Sequence, residues 1–346
     1  ATSGNAIVGG TAVERIDNSG RIEGSISLAA GDDRIDARAG GIITGAIDGG
    51  DGNDTIGFAV ASGTTAFADR VGGVATGFEL LEKTGGGILT VAAPVVARVA
   101  LNTGGLASTG ANTAMAVDAA AGTALTATGS LGAVTLADGA TLSPGDAAAG
   151  SLTLAALSLS NTSRLFYNLG TPDTVGGPNN DLITITGNLT LDGLLDVTAT
   201  PAFGDGVYRL INYGGTLTDN GLAMGIAPGA TYNIQTSVAG QVNLMVGGLG
   251  DLSVQFWDDG DTAADGGVDG GVGIWAAGTT NWTSANGAVN NAWAGNFAVF
   301  QTTGGDVTVN GTQSVTGMQF AATGYRLLAG TGGSPNLNAA EAGVRV

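Results

Sequence analysis

The chain has 346 residues, of which 63 are glycine and 7 are proline, and its net charge is 11 − 29 = −18. Glycine at this level without a Gly-X-Y period excludes collagen, and the 43% of hydrophobic residues, many in alternation, argue against disorder. The acidic surface disfavours nucleic acid and anionic membranes as partners.

An internal repeat of 21 residues lies near the start of the chain. Glycine and isoleucine alternate through residues 20–26 (GRIEGSI), a Gly-Asp turn follows, and the same pattern recurs through residues 41–47 (GIITGAI). Such a unit provides about three short strands and cannot bury its own apolar face. The repeat therefore predicts strands stacked in a parallel solenoid, which is right-handed by the general preference of parallel crossovers. Equivalent isoleucines are expected to align.

Beyond residue 60 the strict period decays, but short strands separated by glycine turns continue. Residues 102–150 are rich in Ala, Gly and Thr, a composition also found in flexible linkers. Alternation such as Ala133-Val134-Thr135-Leu136 favours ordered strands instead.

Two stretches resemble the passengers of bacterial autotransporters, which are exported by type V secretion. The first, residues 131–246, is similar to them in four successive segments: LADGATLSPG (136–145), DLITITG (181–187), LTLDGLLDV (189–197) and GVYRLINYGG (206–215). The second, residues 252–330, resembles the passenger-associated β-strand repeat, with anchors at Trp257, Trp275, Trp282, Trp293, Phe297 and Phe300.

The resemblance implies an all-β, right-handed parallel β-helix. We predict β-helix rungs over residues 1–250 and further rungs with a Trp/Phe-capped repeat over residues 251–346, in one continuous solenoid. The chain begins with Ala rather than Met and shows no signal-peptide pattern, so we expect an excised segment of a longer parent chain. The resemblance implies an extracellular, cell-surface location, with anchoring to the outer membrane through a C-terminal barrel that lies outside this chain.

Residues 49–57, GGDGNDTIG, match the calcium-binding nonapeptide GGxGxDxUx. Calcium sites of that kind lie between nonapeptides stacked at nine-residue spacing, whereas the nearest related turn, which contains Asp33, lies 21 residues away. We therefore interpret the motif as a turn in which the Asp side chain bonds its own backbone, and expect no cofactor. The alternative is a Ca²⁺ ion shared by Asp33 and Asp54 on adjacent turns.

No catalytic or metal-binding residues are predicted. The sequence contains no His and no Cys, which excludes Ser-His-Asp and Cys-His catalysis and the usual zinc sites within this segment. Asp192 and Asp196, four apart in one predicted strand, are interpreted as solvated carboxylates rather than a glycosidase pair, as is the group Asp258, Asp259 and Asp261. The four tryptophans are interpreted as packing residues, with a sugar-stacking platform as the alternative.

The favoured function is a surface-displayed adhesin or adhesin stalk that contacts a host or bacterial surface, matrix or another copy of itself. The alternatives are a self-assembling filament or surface protein and a polysaccharide-active enzyme.

Overall fold

A computed structural model describes residues 4–145, 147–229, 232–236, 238–247, 254–285, 287–338 and 343–346. The protein is all-β, as predicted. The chain divides into two units. Unit 1 comprises Ala1–Tyr167, Ile183–Asp196 and Tyr213–Gly225, and unit 2 comprises Asn168–Leu182, Val197–Asn212 and Ile226–Val346. The predicted division between residues 250 and 251 lies outside the described residues.

The first half of the chain forms twenty strands and one helical turn among the described residues. They are β1 (Asn5–Val8), β2 (Arg15–Asn18), β3 (Arg21–Ile22), β4 (Ser25–Ser27), β5 (Arg34–Ala37), β6 (Ile42–Ile43), β7 (Ile47–Asp48), β8 (Thr55–Ala59), β9 (Thr64–Ala66), α1 (Phe67–Arg70), β10 (Ala75–Thr76), β11 (Leu80–Thr84), β12 (Ile88–Val91), β13 (Arg98–Leu101), β14 (Gly105–Ser108), β15 (Ala111–Asn112), β16 (Ala116–Ala119), β17 (Ala124–Ala127), β18 (Gly129–Leu136), β19 (Thr141–Pro144) and β20 (Ser151–Ser158).

The described part of the second half contains twenty more strands. They are β21 (Arg164–Leu169), β22 (Leu182–Ile185), β23 (Leu189–Leu191), β24 (Leu194–Ala199), β25 (Gly206–Tyr213), β26 (Leu217–Asp219), β27 (Ala223–Met224), β28 (Tyr232–Gln235), β29 (Gln241–Val246), β30 (Val254–Trp257), β31 (Gly273–Trp275), β32 (Trp282–Thr283), β33 (Asn290–Asn291), β34 (Phe297–Phe300), β35 (Asp306–Val309), β36 (Thr312–Val315), β37 (Gly317–Phe320), β38 (Arg326–Ala329), β39 (Ser334–Leu337) and β40 (Val344–Arg345).

Unit 1 is built on parallel ladders of strands from successive repeats. The longest ladder, ladder B, runs through β2, β5, β8, β11, β13, β16, β18 and β20. A second ladder joins β9, β12, β14, β17 and β19, and a third joins β1, β4, β7 and β10. The chain alternates between ladders, so each strand pairs with a strand about 20 residues away rather than with its immediate neighbour.

The 21-residue repeat sets the register of the first ladders. Ile22 pairs with Ile43, Ile26 with Ile47 and Ile35 with Ile56, each pair in a different ladder. Ile26, Ile35, Ile43, Ile47 and Ile56 are all buried. The predicted alignment of equivalent isoleucines is therefore confirmed, and it buries the apolar face that a single repeat cannot cover.

The glycines of the repeat allow its turns to stack closely. Gly31 and Gly52 occupy equivalent turns with φ of 146° and 142°. A Cβ on Gly52 would lie 1.8 Å from the carbonyl oxygen of Gly31. Only glycine fits this turn at the spacing of adjacent strands.

Ordered strands continue through residues 102–145. Val117 pairs with Val134 and Leu125 with Leu142 in two parallel ladders, and all four side chains are buried. The prediction of ordered strands over a flexible linker is confirmed for the described residues of this stretch.

Unit 2 combines parallel and antiparallel pairing. β29 pairs antiparallel with β25 and β28, and β30 pairs antiparallel with β32. One parallel ladder joins β30, β34, β37 and β40. A second joins β31, β35 and β38, and a third joins β36 and β39. The core of its C-terminal part is aromatic, centred on Trp257, Trp275, Trp282 and Phe300.

Over the described residues, no helix has the length and apolar character needed to cross a membrane.

Candidate functional site

Four acidic residues stack in unit 1, each directly before a strand of ladder B. Glu14, Asp33, Asp54 and Glu79 precede β2, β5, β8 and β11, and we call them the carboxylate ladder. The backbone N–H of Glu14 donates to Asp33 Oδ1 at 2.7 Å, that of Asp33 to Asp54 Oδ1 at 2.7 Å, and that of Asp54 to Glu79 Oε2 at 2.6 Å. Asp33, Asp54 and Glu79 thus each satisfy a backbone donor of the preceding repeat, through charge-assisted bonds.

The middle of the carboxylate ladder is withdrawn from solvent. Asp33 is 1% exposed and Asp54 is 0% exposed. Burial raises the pKa of the Asp54 carboxyl; the hydrogen bond from Asp33 N–H opposes this, and the negative charges of Asp33, Glu79 and Asp32 add to the rise. The second oxygens of Glu14, Asp33 and Asp54 are buried and have no hydrogen-bond partner within the described chain.

The carboxylate ladder ends at a cleft. Ala97, which precedes β13, occupies the position that Glu79 holds one repeat earlier. A cleft of about 580 Å³ lies here, lined by Asp54, Glu79, Ala97 and the ion pair of Arg98 with Asp118, among others. It gives solvent access to the end of the carboxylate ladder.

The turn predicted around Asp33 and Asp54 is present, but its hydrogen bonding differs from the prediction. Asp54 accepts from the N–H of Asp33, and Asp32 accepts from that of Asn53 at 2.9 Å. These carboxylates bond the backbone of the adjacent repeat rather than their own, because stacking places that backbone within reach. Asp33 and Asp54 are thus direct neighbours across the ladder.

Asp192 and Asp196 were predicted to lie in one strand, but they do not. Asp192 lies in the turn between β23 and β24, where its Oδ1 accepts from Gly193 N–H at 2.8 Å. Asp196 lies within β24 and is 2% exposed. It pairs with Arg164 at 2.5 Å in a bidentate contact, so it is not a solvated carboxylate.

The acidic loop after β30 separates into a buried residue and an exposed group. Asp258 is 1% exposed and accepts from Asp269 N–H at 2.9 Å and from Asn290 Nδ2 at 2.9 Å. It is therefore not a solvated carboxylate, contrary to the prediction. Asp261 lies with Asp265 and Asp269, whose carboxylate oxygens are within 4.8 Å of one another.

The tryptophans are packing residues, as interpreted from the sequence. Trp257, Trp275 and Trp282 are 0% exposed, and Trp282 contacts each of the other two edge to face. Trp293 packs partly buried on the same cluster, with its indole N–H donating to Ser314 O at 2.7 Å. Three of the four rings have no face left for a sugar.

Sequence reasoning missed the carboxylate ladder as a whole. The available signal was an acidic residue directly before each of four strands that share one ladder. Glu14 and Glu79 fall outside the 21-residue offset, lying 19 and 25 residues from their neighbours in the ladder. They align only because the strands that follow them pair in register.

Comparison with known proteins shows a similarity to a bacterial adhesin. No protein-family model matches the chain. The chain is 43% identical over 224 residues, 62% of its length, to the Adhesin BmaC autotransporter of Brucella suis biovar 1 (strain 1330). The matched part is 6% of that relative, so the chain corresponds to a small portion of a much longer protein. The resemblance to bacterial autotransporters that the sequence indicates is thereby confirmed.

Proposed function

We propose that this chain is a segment of an adhesin-type autotransporter passenger, displayed outside the bacterium as a right-handed parallel β-helix. The observation that carries the proposal is the 43% identity to a protein named as an autotransporter adhesin.

The strand order of unit 1 supports the β-helix. Consecutive strands alternate between ladders, and each ladder is parallel, which is how a coiled chain places its successive turns. Parallel crossovers are right-handed in nearly all proteins. A stack of this kind presents long, regular outer faces from which contacts with another surface can be made.

The proposed role is not enzymatic. The sequence contains neither His nor Cys. Asp196 and Asp258, two of the carboxylates considered for polysaccharide cleavage, are buried and hydrogen-bonded to neighbouring side chains. Glycosidase chemistry requires a pair of carboxylates on either side of a bound sugar.

A binding experiment tests the adhesin role. Beads coated with the purified chain are incubated with cultured animal cells and with surfaces coated in extracellular matrix, and adhesion is counted. Control beads carry an unrelated β-rich protein of similar net charge, since −18 charges alone alter adhesion. Adhesion well above this control is expected; adhesion equal to the control on every surface would contradict the role for this segment. Sedimentation at rising concentration shows whether the chain instead binds itself.

A further inference from the structure

The carboxylate ladder contains buried carboxylate oxygens that accept no hydrogen bond within the described chain. Asp33 and Asp54 are more than nine-tenths buried, and the Oδ2 of each has no hydrogen-bond partner within the described chain. Buried carboxylate oxygens without a donor are strongly unfavourable unless a cation or a proton satisfies them. Among the described residues no Lys or Arg is bonded to Glu14, Asp33, Asp54 or Glu79.

Main-chain carbonyls lie near two of the unpartnered carboxylate oxygens, those of Asp54 and Glu14. Around Gly49, an added Cβ would lie 2.6 Å from Asp54 Oδ2 and 2.2 Å from the carbonyl oxygen of Gly77. Around Gly9 it would lie 2.7 Å from Glu14 Oε2 and 2.4 Å from the carbonyl oxygen of Leu28. In both places a carboxylate oxygen and a carbonyl oxygen, two acceptors, converge beside a glycine.

We propose that the carboxylate ladder binds calcium, with Asp33 and Asp54 as its carboxylate ligands and neighbouring main-chain carbonyls completing the oxygen shell. Every ligand atom offered here is a carboxylate or carbonyl oxygen, the donor set that Ca²⁺ prefers and softer metals do not. The cleft beside Asp54 and Glu79 provides the entry path. The ion neutralises the stacked charges and ties adjacent repeats together. This site is independent of the proposed adhesin role.

Calcium titration of the full chain tests the proposal. In buffer first cleared of divalent ions, saturating Ca²⁺ is expected to raise the melting temperature by about 5 °C or more. Calorimetric titration is expected to show a saturable binding heat. Mg²⁺, which demands a smaller octahedral shell, is expected to do much less.

Isosteric variants locate the ion. Asp33→Asn and Asp54→Asn keep an oxygen that accepts the backbone N–H, so both are expected to fold but to lose the response to calcium. Asp51→Asn, an exposed residue of the same turn, removes the same charge and is expected to keep the response. Asp265→Asn, in the exposed acidic group, is also expected to keep it.

Three results would overturn the proposal. One is the absence of any calcium response in the unaltered chain. Another is an equal response to Mg²⁺ and Ca²⁺, which indicates general charge screening. The third is a response that survives Asp33→Asn and Asp54→Asn but disappears in Asp265→Asn, which places the ion in the loop after β30.

Discussion

At the scale of single residues, Lys83 is the most unusual side chain of unit 1. It lies on the inward face of β11, paired with Phe58 and Leu101 on the neighbouring strands, and it is 0% exposed. Its ammonium donates to the carbonyl oxygens of Gly85 at 2.6 Å, Thr103 at 2.8 Å and Gly87. A buried cation here supplies hydrogen bonds to carbonyl oxygens of the turn that follows β11 and of the turn in the next repeat.

Replacing Lys83 tests whether these hydrogen bonds matter. Lys83→Met keeps the approximate length of the side chain but removes the donor to the carbonyl oxygens of Gly85 and Thr103, so we expect the free energy of unfolding to fall by about 1–3 kcal/mol. Urea denaturation followed by circular dichroism measures it. A variant as stable as the unaltered chain would show that the apolar environment tolerates the loss.

The same residue predicts a pH dependence. Burial lowers the pKa of Lys83 below its ordinary 10.5. Between the lowered pKa and 10.5 the unfolded chain holds more protons than the folded chain, so stability should rise as the pH increases through this window. Urea denaturation at several pH values below about 10, before tyrosines ionise, measures the slope. Lys83→Met should reduce it, and an unchanged slope in that variant would assign it to other groups.

Gly57, in β8 of ladder B, leaves space for charged side chains of the neighbouring strands. Arg34 contacts Asp36 at 2.7 Å and reaches Glu82 at 2.8 Å across the strand that carries Gly57. A Cβ on Gly57 would lie 2.0 Å from Asp36 Oδ1. The glycine therefore makes room for an ion pair that spans three strands.

Substituting this glycine should separate the ion pairs. We expect Gly57→Ala to lower the free energy of unfolding by about 1–3 kcal/mol, because the new methyl group overlaps Asp36. Gly20→Ala is the control, since nothing lies within 4 Å of its added Cβ, and its effect should stay within about 0.5 kcal/mol. Similar losses in both variants, measured by urea denaturation, would contradict this account.

At the scale of elements, β11 illustrates the alternation on which the fold rests. Leu81 faces the core between Ile56 and Val99 and is 0% exposed, whereas Leu80 faces outward and lines the cleft. Adjacent leucines thus serve opposite faces of one strand, as the period of two requires.

This difference is measurable. Leu81→Ala removes a side chain packed in the ladder and should lower the free energy of unfolding by about 2–5 kcal/mol. Leu80→Ala deletes the same atoms from a partly exposed side chain and should cost less than about 1 kcal/mol. Equal costs would indicate that the strand has the opposite orientation or that its register is wrong.

Strands were predicted well where the sequence repeats and less well near the turns between strands. The isoleucine ladder around Ile35 and Ile56 follows from a fixed offset and an apolar face that needs a partner. Asp192 and Asp196 were placed in one strand because their surroundings alternate, but Asp192 bonds Gly193 in a turn and ends the strand. Local hydrogen bonding of this kind competes with the strand and leaves little trace in apolar periodicity.

At the scale of the whole molecule, the net charge of −18 is the dominant electrostatic fact. Like charges repel in the folded state, and salt screens them within about 10 Å at 0.1 M. We expect the melting temperature to rise by a few degrees between about 0.02 and about 0.3 M NaCl. Calorimetry in the presence of a chelator measures this without contribution from calcium. A falling melting temperature would mean that favourable ion pairs, such as that of Arg164 with Asp196, outweigh the repulsion.

The sequence by itself determined the fold class, the stacking of repeats and the relation to autotransporters, because these depend on periodicity and on segments that stand in order along the chain. It also excluded chemistry that needs His or Cys. Only the tertiary structure decided which carboxylates meet. Glu14, Asp33, Asp54 and Glu79 are separated by unequal numbers of residues, and they align because the strands that follow them pair in register. The length of each turn, rather than any motif, sets that register, so the alignment of these carboxylates becomes visible only in the folded chain.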